Sequence, residues 1–243
     1  MPVLEALLDR RAVVERVVVA RAAQGSSVER IVAAAEERGV PVERADPRRV
    51  THLSRNGRHD QGVVADVASR GLAELGDWLA GREQGALRVL VLDGLTNPAN
   101  VGMVIRTATA AGLDGVVLPQ AGAPDVGPLV VKASAGVALW APVLRSPTPA
   151  EAARTLQGAG VTVVGLAAGR GVPLWDAEIP ERAALVLGNE TVGVSAPVSS
   201  LVSSWWCIPL EAGVESLNVA SAAAVLAFEI ARQRTIGPSR PDR

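Results

Sequence analysis

With 243 residues, nearly half of them apolar, and a net charge of −1, the chain has room for one large domain or a small domain beside a medium one, and it is not a generally basic nucleic-acid binder. Tyr is absent and Phe occurs once, so Val, Leu, Ile and Ala must fill the core. Cys207 is the only cysteine and His52 and His59 are the only histidines, which excludes an internal disulfide and leaves no cluster for a zinc site.

No run is long and uniform enough for a membrane span. Charges at Glu5, Asp9, Arg10 and Arg11 interrupt the first apolar stretch, so no signal peptide is expected there, and a soluble cytoplasmic protein is the expectation. Residues 1–70 hold 12 Arg against 10 acidic residues, and residues 71–243 hold 12 basic against 15 acidic. That asymmetry permits RNA contact through local patches without demanding it. Lys132 is the only lysine.

Apolar strands alternate with helical segments along the whole chain, the pattern of an α/β fold with a largely parallel sheet. Residues 15–20 (ERVVVA) read as a buried strand, and 27–38 as a helix capped by Ser26 or Ser27 with Gly39 just past its end. Residues 41–45 and 62–67 (GVVADV) read as short strands, with a polar loop over 55–62 between them. Residues 71–87 are rich in Gly and charge and read as a linker, with a helical turn or two at 72–79. From 88 the pattern strengthens. Residues 88–92 (RVLVL) form a continuous apolar run, as a strand covered on both faces requires. Helices are predicted over 101–111, 149–159 and 217–233, and strands over 115–118, 142–144, 161–166, 183–187 and 205–208. In the last helix Val219, Ala223, Leu226, Ala227 and Ile230 share one stripe. The tail, 237–243, is expected to be disordered.

Three loops follow strong strands, and in an open parallel sheet ligands bind at the carboxyl ends of the strands. The first, 93–108 (DGLTNPANVGMVIRTA), carries Asn97, Asn100, Gly102 and Arg106. Asn100 reads as the cap of the helix starting at Val101, with Arg106 able to join it at an anion near that helix's N-terminus. The plainer reading is a cap and a surface arginine. The second, 187–195 (LGNETVGVS), carries Gly188, Gly193 and the lone acid Glu190; it is either a ligand loop or a polar turn. The third, 208–221 (IPLEAGVESLNVAS), leads into the last helix with Ser216 or Asn218 as cap. None is decisive alone. A dinucleotide-binding oxidoreductase is set aside, because 92–102 lacks the Gly-rich spacing that fold needs.

Together and in this order the three segments resemble the motifs of the SpoU/TrmH family of RNA 2′-O-ribose methyltransferases. Residues 97–108 match N-x-x-N-x-G-x-x-x-R-T/S-A; 187–190 with Gly193 resemble the family's Leu-Gly-Asn-Glu loop; 208–210 and 216–222 resemble its I-P-L…S-L-N-V-A/S-x-A segment. The resemblance is to the type that methylates guanosine riboses of ribosomal RNA and carries an N-terminal substrate-binding domain. That domain commonly ends in His-Gln-Gly-(Ile/Val)-(Ile/Val)-Ala, where this chain has HDQGVVA at 59–65, with Asp60 inserted. Thr191 stands where the family usually has Gly.

The resemblance implies a small α/β RNA-binding domain over 1–70, a linker over 71–87, and a parallel-sheet catalytic domain over 88–236 whose C-terminal part forms a deep trefoil knot. It implies S-adenosylmethionine as cofactor, held by backbone at Gly188, Ile208 and Leu217, with Leu210 and Ala167 as further contacts. It implies no metal, an RNA substrate with 23S ribosomal RNA favoured over transfer RNA, and a homodimer. Arg106 is the expected catalytic residue, stabilising the developing alkoxide or the adjacent phosphate, since a guanidinium stays protonated. Asn100 and Glu190 are expected to orient Arg106 or the ribose, and Ser216 and Asn218 to shape the pocket. A non-catalytic RNA-binding protein that keeps the knot is the alternative from another class.

Overall fold

The computed structural model describes residues 2–9, 12–54, 61–68 and 72–236, and the chain divides into two compact units, Met1–Gly71 and Leu72–Arg243. The first unit runs α1 (Pro2–Leu8), β1 (Val13–Ala20), α2 (Ser26–Glu37), β2 (Val42–Ala45), α3 (Pro47–Ser54) and β3 (Val63–Ala68). β1 lies at the centre of a three-stranded sheet, parallel to β2 and antiparallel to β3. Its β-branched run Val17, Val18 and Val19 is fully buried, which fixes β1 as the core strand. Arg38 donates to the carbonyls of Ala6, Leu7, Asp9 and Ala12, satisfying acceptors that the end of α1 leaves open. Neither Ser26 nor Ser27 caps α2, since both lie inside it. Gly25, at φ 110°, is the N-cap, a backbone conformation that a serine there would hold only under strain. Helices α1 and α3 have no counterpart in the sequence reading. His59 and Asp60 of the polar loop, and the tail from 237, lie outside the described residues.

The second unit continues with β4 (Ala73–Glu74), α4 (Leu75–Leu79), β5 (Leu87–Leu92), α5 (Pro98–Ala110), β6 (Gly115–Val117), α6 (Pro128–Ala133), β7 (Val143–Arg145) and α7 (Pro149–Gly158). It ends with β8 (Thr162–Leu166), β9 (Val172–Pro173), β10 (Arg182–Leu187), α8 (Ala196–Ser199), β11 (Ser204–Cys207) and α9 (Val219–Ile236). The eight strands are ordered β4-β7-β6-β5-β10-β8-β11-β9, and every pair in the sheet is parallel.

Both faces of this sheet are covered. Leu90 and Leu92 of β5, with Leu185 and Leu187 of β10, pack with Val101 and Ile105 of α5 and Ala223 and Leu226 of α9. Val89, Val91, Ala184 and Val186 point the other way, to Ala152 and Leu156 of α7. A strand apolar on both faces must be a continuous apolar run, and β5 and β10 are.

The stretch read as a linker is partly a working piece of this core. Leu75 and Leu79 are 2% and 7% exposed, and β4 pairs with β7 at the sheet edge. Their apolar positions were hidden among glycines and charges, and tertiary packing supplies what local propensity lacks.

Helix α5 begins at Pro98, three residues earlier than expected. Asn97 is its cap, its side chain accepting from the Ala99 amide at 2.9 Å, with Pro98 pre-set at the first helical position. Asn100 is therefore not a cap. It lies inside the first turn and is 6% exposed.

Strand order reverses around β5 and β10. β6 and β7 lie to one side, while the chain then crosses to β8, and β10 slots between β5 and β8. β11 is in turn inserted between β8 and β9, which are joined by residues 167–171 alone: Trp206 pairs with Leu166 on one side and Val172 on the other.

Candidate functional site

The carboxyl ends of β5, β8, β10 and β11 all open on one side of the sheet, because these strands are parallel. The loops leaving them are laced together by side chains. Asp93, at the end of β5 and only 5% exposed, accepts from the Ser195 amide at 2.7 Å. Asn189 donates through Nδ2 to the Gly94 carbonyl at 2.9 Å.

The loop after β10 closes on itself. Asn189 and Gly193 exchange backbone hydrogen bonds of 3.1 and 2.8 Å, while Asn189 Oδ1 accepts from the amides of Thr191 and Val192 at 2.8 and 3.3 Å. Gly188 lies where this lasso doubles back: a Cβ there would sit 2.2 Å from the Gly193 carbonyl carbon. Only glycine fits that approach.

Two hydrogen bonds join the three loops. Asn100 Nδ2 donates to Glu190 Oε1 by a short bond, spanning 90 positions of sequence. Asn218 Nδ2 donates to Asn100 Oδ1 at 3.3 Å, spanning 118 positions. Asn218 Oδ1 in turn accepts from the Ala220 amide at 2.9 Å, so Asn218 rather than Ser216 caps α9. The arrangement is a relay Asn218–Asn100–Glu190 in which a primary amide in the middle donates one way and accepts the other.

Beside it lies a cavity of about 500 Å³. Ala167, Gly188, Glu190, Ile208, Leu210, Ser216 and Leu217, seven of the residues singled out in the sequence, line it. Asn100 and Asn218 stand behind Glu190 rather than in the wall. The structure adds Arg170, Trp205 and Glu215 to the lining, none of which the sequence reading named.

Arg106 is not brought into this cluster. Helix positions advance by about 100° each, so six positions leave Arg106 about 120° around α5 from Asn100. It falls on the exposed stripe with Ala99, Met103 and Ala110, and its side chain has no hydrogen bond or ion pair among the described residues. The expected orientation of Arg106 by Asn100 and Glu190 is thus absent in the chain by itself, because Asn100 spends its side chain on Glu190 and Asn218.

Gly102 of the first motif is helical, and its role is packing. A Cβ there would be 2.5 Å from the Val130 carbonyl oxygen and 2.7 Å from Ala133 Cβ, so it lets α6 lie directly on α5. Helix α9 also packs on α5 and carries the buried Glu229. Its carboxylate accepts from Arg232 at 2.7 and 2.8 Å and from Gln233 at 2.9 Å, and Gln233 donates to the Ala177 carbonyl at 2.9 Å. The Arg232 hydrogen bond holds the Glu229 carboxyl below the usual carboxylate range, against the opposing effect of its burial. Among the described residues, no group of three His, Cys, Asp or Glu is placed to hold a metal ion, and no helix is long and apolar enough to cross a membrane.

Comparison with known proteins decides the family. The SpoU rRNA Methylase family profile matches residues 87–228. The chain belongs to the SpoU rRNA methylase family. Residues 1–71 match a second profile, described as RNA 2′-O ribose methyltransferase substrate binding. A 23S rRNA (guanosine-2′-O-)-methyltransferase, RlmB, from Ralstonia nicotianae is 35% identical over 196 residues, 81% of this chain and 78% of the relative. An uncharacterized tRNA/rRNA methyltransferase from Synechocystis is also 35% identical over 82% of this chain, but the chain spans only about half, 52%, of that protein's length.

Among solved structures, the AdoMet-bound rRNA methyltransferase from Sinorhizobium meliloti superposes with a TM-score of 0.74 at 25% identity, over 96% of this chain and 85% of its own. The SpoU methyltransferase AviRb from Streptomyces viridochromogenes superposes with a TM-score of 0.77 over 98% of this chain and 90% of its own; at 23% identity it supports the fold.

Proposed function

We infer that this SpoU-family chain transfers a methyl group from S-adenosylmethionine to a ribose 2′-hydroxyl in RNA, with 23S ribosomal RNA as the substrate. The observation that carries this is the relay Asn218–Asn100–Glu190, which draws three separate motif loops around one cavity at the strand ends. The guanosine-2′-O-methyltransferase relatives at 35% identity and the substrate-binding match over 1–71 favour ribosomal RNA.

The cavity fits the cofactor. Its volume of about 500 Å³ is that of a small-molecule site. Leu166, Ile208, Leu210 and Leu217 give apolar walls, while Glu190 and Glu215 set carboxylates against a ligand that carries a sulfonium and an ammonium. When bound, S-adenosylmethionine supplies a methyl group on a cationic sulfur, an electrophile with a good leaving group built in. The lasso at Gly188 and the backbone at Ile208 and Leu217 hold it. Ser216 shapes the mouth of the cavity, and Leu210 and Ala167 close its walls.

The chemical difficulty lies with the hydroxyl, which is barely acidic. Glu190, fixed by Asn100, orients the ribose. Arg106, exposed and with its donors free among the described residues, meets the RNA, where its guanidinium stabilises the developing alkoxide or the neighbouring phosphate. It stays protonated throughout and so acts by charge and position.

Three further features belong to this reading. Residues 1–70 bind the RNA and 88–236 form the catalytic domain. The insertion of β11 between β8 and β9, under a five-residue connection, supports a deep trefoil knot. Phe228 is 54% exposed on α9 and Met103 is exposed on α5, which packs against α9; these apolar side chains support a homodimer through that face. The setting is the cytoplasm.

The test is calorimetric titration with S-adenosylmethionine, followed by mass-spectrometric mapping of methylated nucleosides after incubation with 23S ribosomal RNA. Cofactor binding and a new 2′-O-methyl group support the reading. No binding favours a non-catalytic RNA-binding protein and overturns it.

A further inference from the structure

The five residues that join β8 to β9 cross over β11, and both ends of this strap are tied to it. The Ala167 amide donates to the Trp206 carbonyl at 2.9 Å. Gly171, at φ 102°, lies so close to β11 that a Cβ would stand 2.2 Å from the Trp205 carbonyl oxygen. Between these points the Arg170 guanidinium lies 4.0 Å over the Trp205 ring. The ring itself packs on Gly165, where a Cβ would come within 2.5 Å of it. Gly165 thus makes room for the indole and Gly171 for the backbone that bears it, and the indole carries one arginine.

Arg170 is the single cation among the residues lining the cavity, and Glu190 and Glu215 are the acids in the same lining. It has no ion pair among the described residues, so its N–H edge is uncommitted while its flat face rests on the ring. The ligand inferred for this cavity has one anionic group, the carboxylate of its amino-acid end. We propose that Arg170, held by Trp205, is the receptor for that carboxylate and so selects a donor bearing an intact amino-acid end. This rests on the cofactor reading above.

Trp205 is a positioning residue in this scheme: it holds the guanidinium in one place, which leaves less conformational freedom to lose on binding. The carboxylates of Glu190 and Glu215 are left for the two positive groups of the same ligand, its sulfonium and its ammonium.

The test compares two ligands by titration calorimetry without RNA: S-adenosylmethionine and 5′-methylthioadenosine, which keeps the nucleoside and lacks the amino-acid end. Arg170→Ala is expected to weaken S-adenosylmethionine by about 10- to 100-fold, the size of one lost charge-assisted hydrogen bond, and to leave 5′-methylthioadenosine within about twofold. Arg170→Lys, which keeps a cation and loses the forked geometry, is expected to fall between. Thermal unfolding of both variants is expected to match the parent, since Arg170 is exposed. Equal weakening of both ligands would make Arg170 a mere clasp of the strap, and no weakening of either would remove it from the site; each overturns the proposal while the function stands. Failure of the unsubstituted protein to bind S-adenosylmethionine would overturn the function itself and the proposal with it.

Discussion

Gly188→Ala puts one methyl group into the tightest part of the site. The added Cβ would lie 2.2 Å from the Gly193 carbonyl carbon and 2.3 Å from the Val194 nitrogen, both backbone atoms, where ordinary contact begins near 3.4 Å. One side of the lasso must therefore move by about 1 Å. The Asn189–Gly193 pair of hydrogen bonds, 3.1 and 2.8 Å, spans the same gap and cannot survive that shift at full strength. Losing one of them costs about 0.5–1.5 kcal/mol, and residual overpacking about 1–3 kcal/mol. If half of this appears in binding, cofactor affinity falls by about 3- to 40-fold, since about 1.4 kcal/mol is a factor of ten. Because Gly188 does not have a positive φ, backbone strain plays no part, and the effect is steric. Calorimetry with S-adenosylmethionine, beside a thermal melt, measures both parts. An affinity within about twofold of the parent would refute the claim that this close approach shapes the cavity.

Arg106→Ala is expected to abolish methyl transfer while leaving cofactor affinity within about twofold and stability within about 0.5 kcal/mol, because Arg106 is exposed and lies outside the cavity lining; equal loss of binding and transfer, measured by calorimetry and by labelled-methyl incorporation, rejects that division of labour. Asn100→Ala leaves Glu190 and Asn218 without their shared partner, and should lower the transfer rate at saturating cofactor at least about 10-fold and cost about 1–3 kcal/mol in denaturant unfolding. Glu229→Gln weakens the Arg232 contact and should lower stability at neutral pH by about 0.5–1 kcal/mol. The folded Glu229 carboxyl titrates below its unfolded value of 4.5, so its contribution is present above that pH and is lost as pH falls through the folded value. The gap between parent and variant, followed by urea unfolding at several pH values, should therefore narrow on acidification below 4.5; a gap that widens contradicts the sign.

The main sheet was legible because β5 and β10 are buried on both faces and so appear as unbroken apolar runs, and the three loops were legible because their polar residues follow those runs. The start of α7 at Pro149 was legible too, but that of α5 was not. Asn97 and Asn100 are both plausible caps, and Pro98 next to Asn97 is the local signal that decides between them. Gly102 falls inside the expected helix, but its reason for being glycine is the close approach of α6, a contact no local pattern records. Leu75 and Leu79 lacked a recognisable stripe because α4 is a single short element among charges. Arg170 and Trp205 stayed hidden for a different reason. They come together only because β11 enters between β8 and β9, and a strand order of that kind leaves no trace in residue spacing. The relay Asn218–Asn100–Glu190 was visible as residues but not as bonds. The resemblance pointed Asn100 and Glu190 toward Arg106 or the ribose, and the fold points Asn100 at Glu190 and Asn218.

The most direct measurement is to incubate the protein with 23S ribosomal RNA and S-adenosylmethionine carrying an isotopically labelled methyl group, then to map the label by mass spectrometry of the digested RNA. The account predicts label on a ribose 2′-oxygen, lost in Arg106→Ala. Label on a base, or label that persists unchanged in Arg106→Ala, would contradict it.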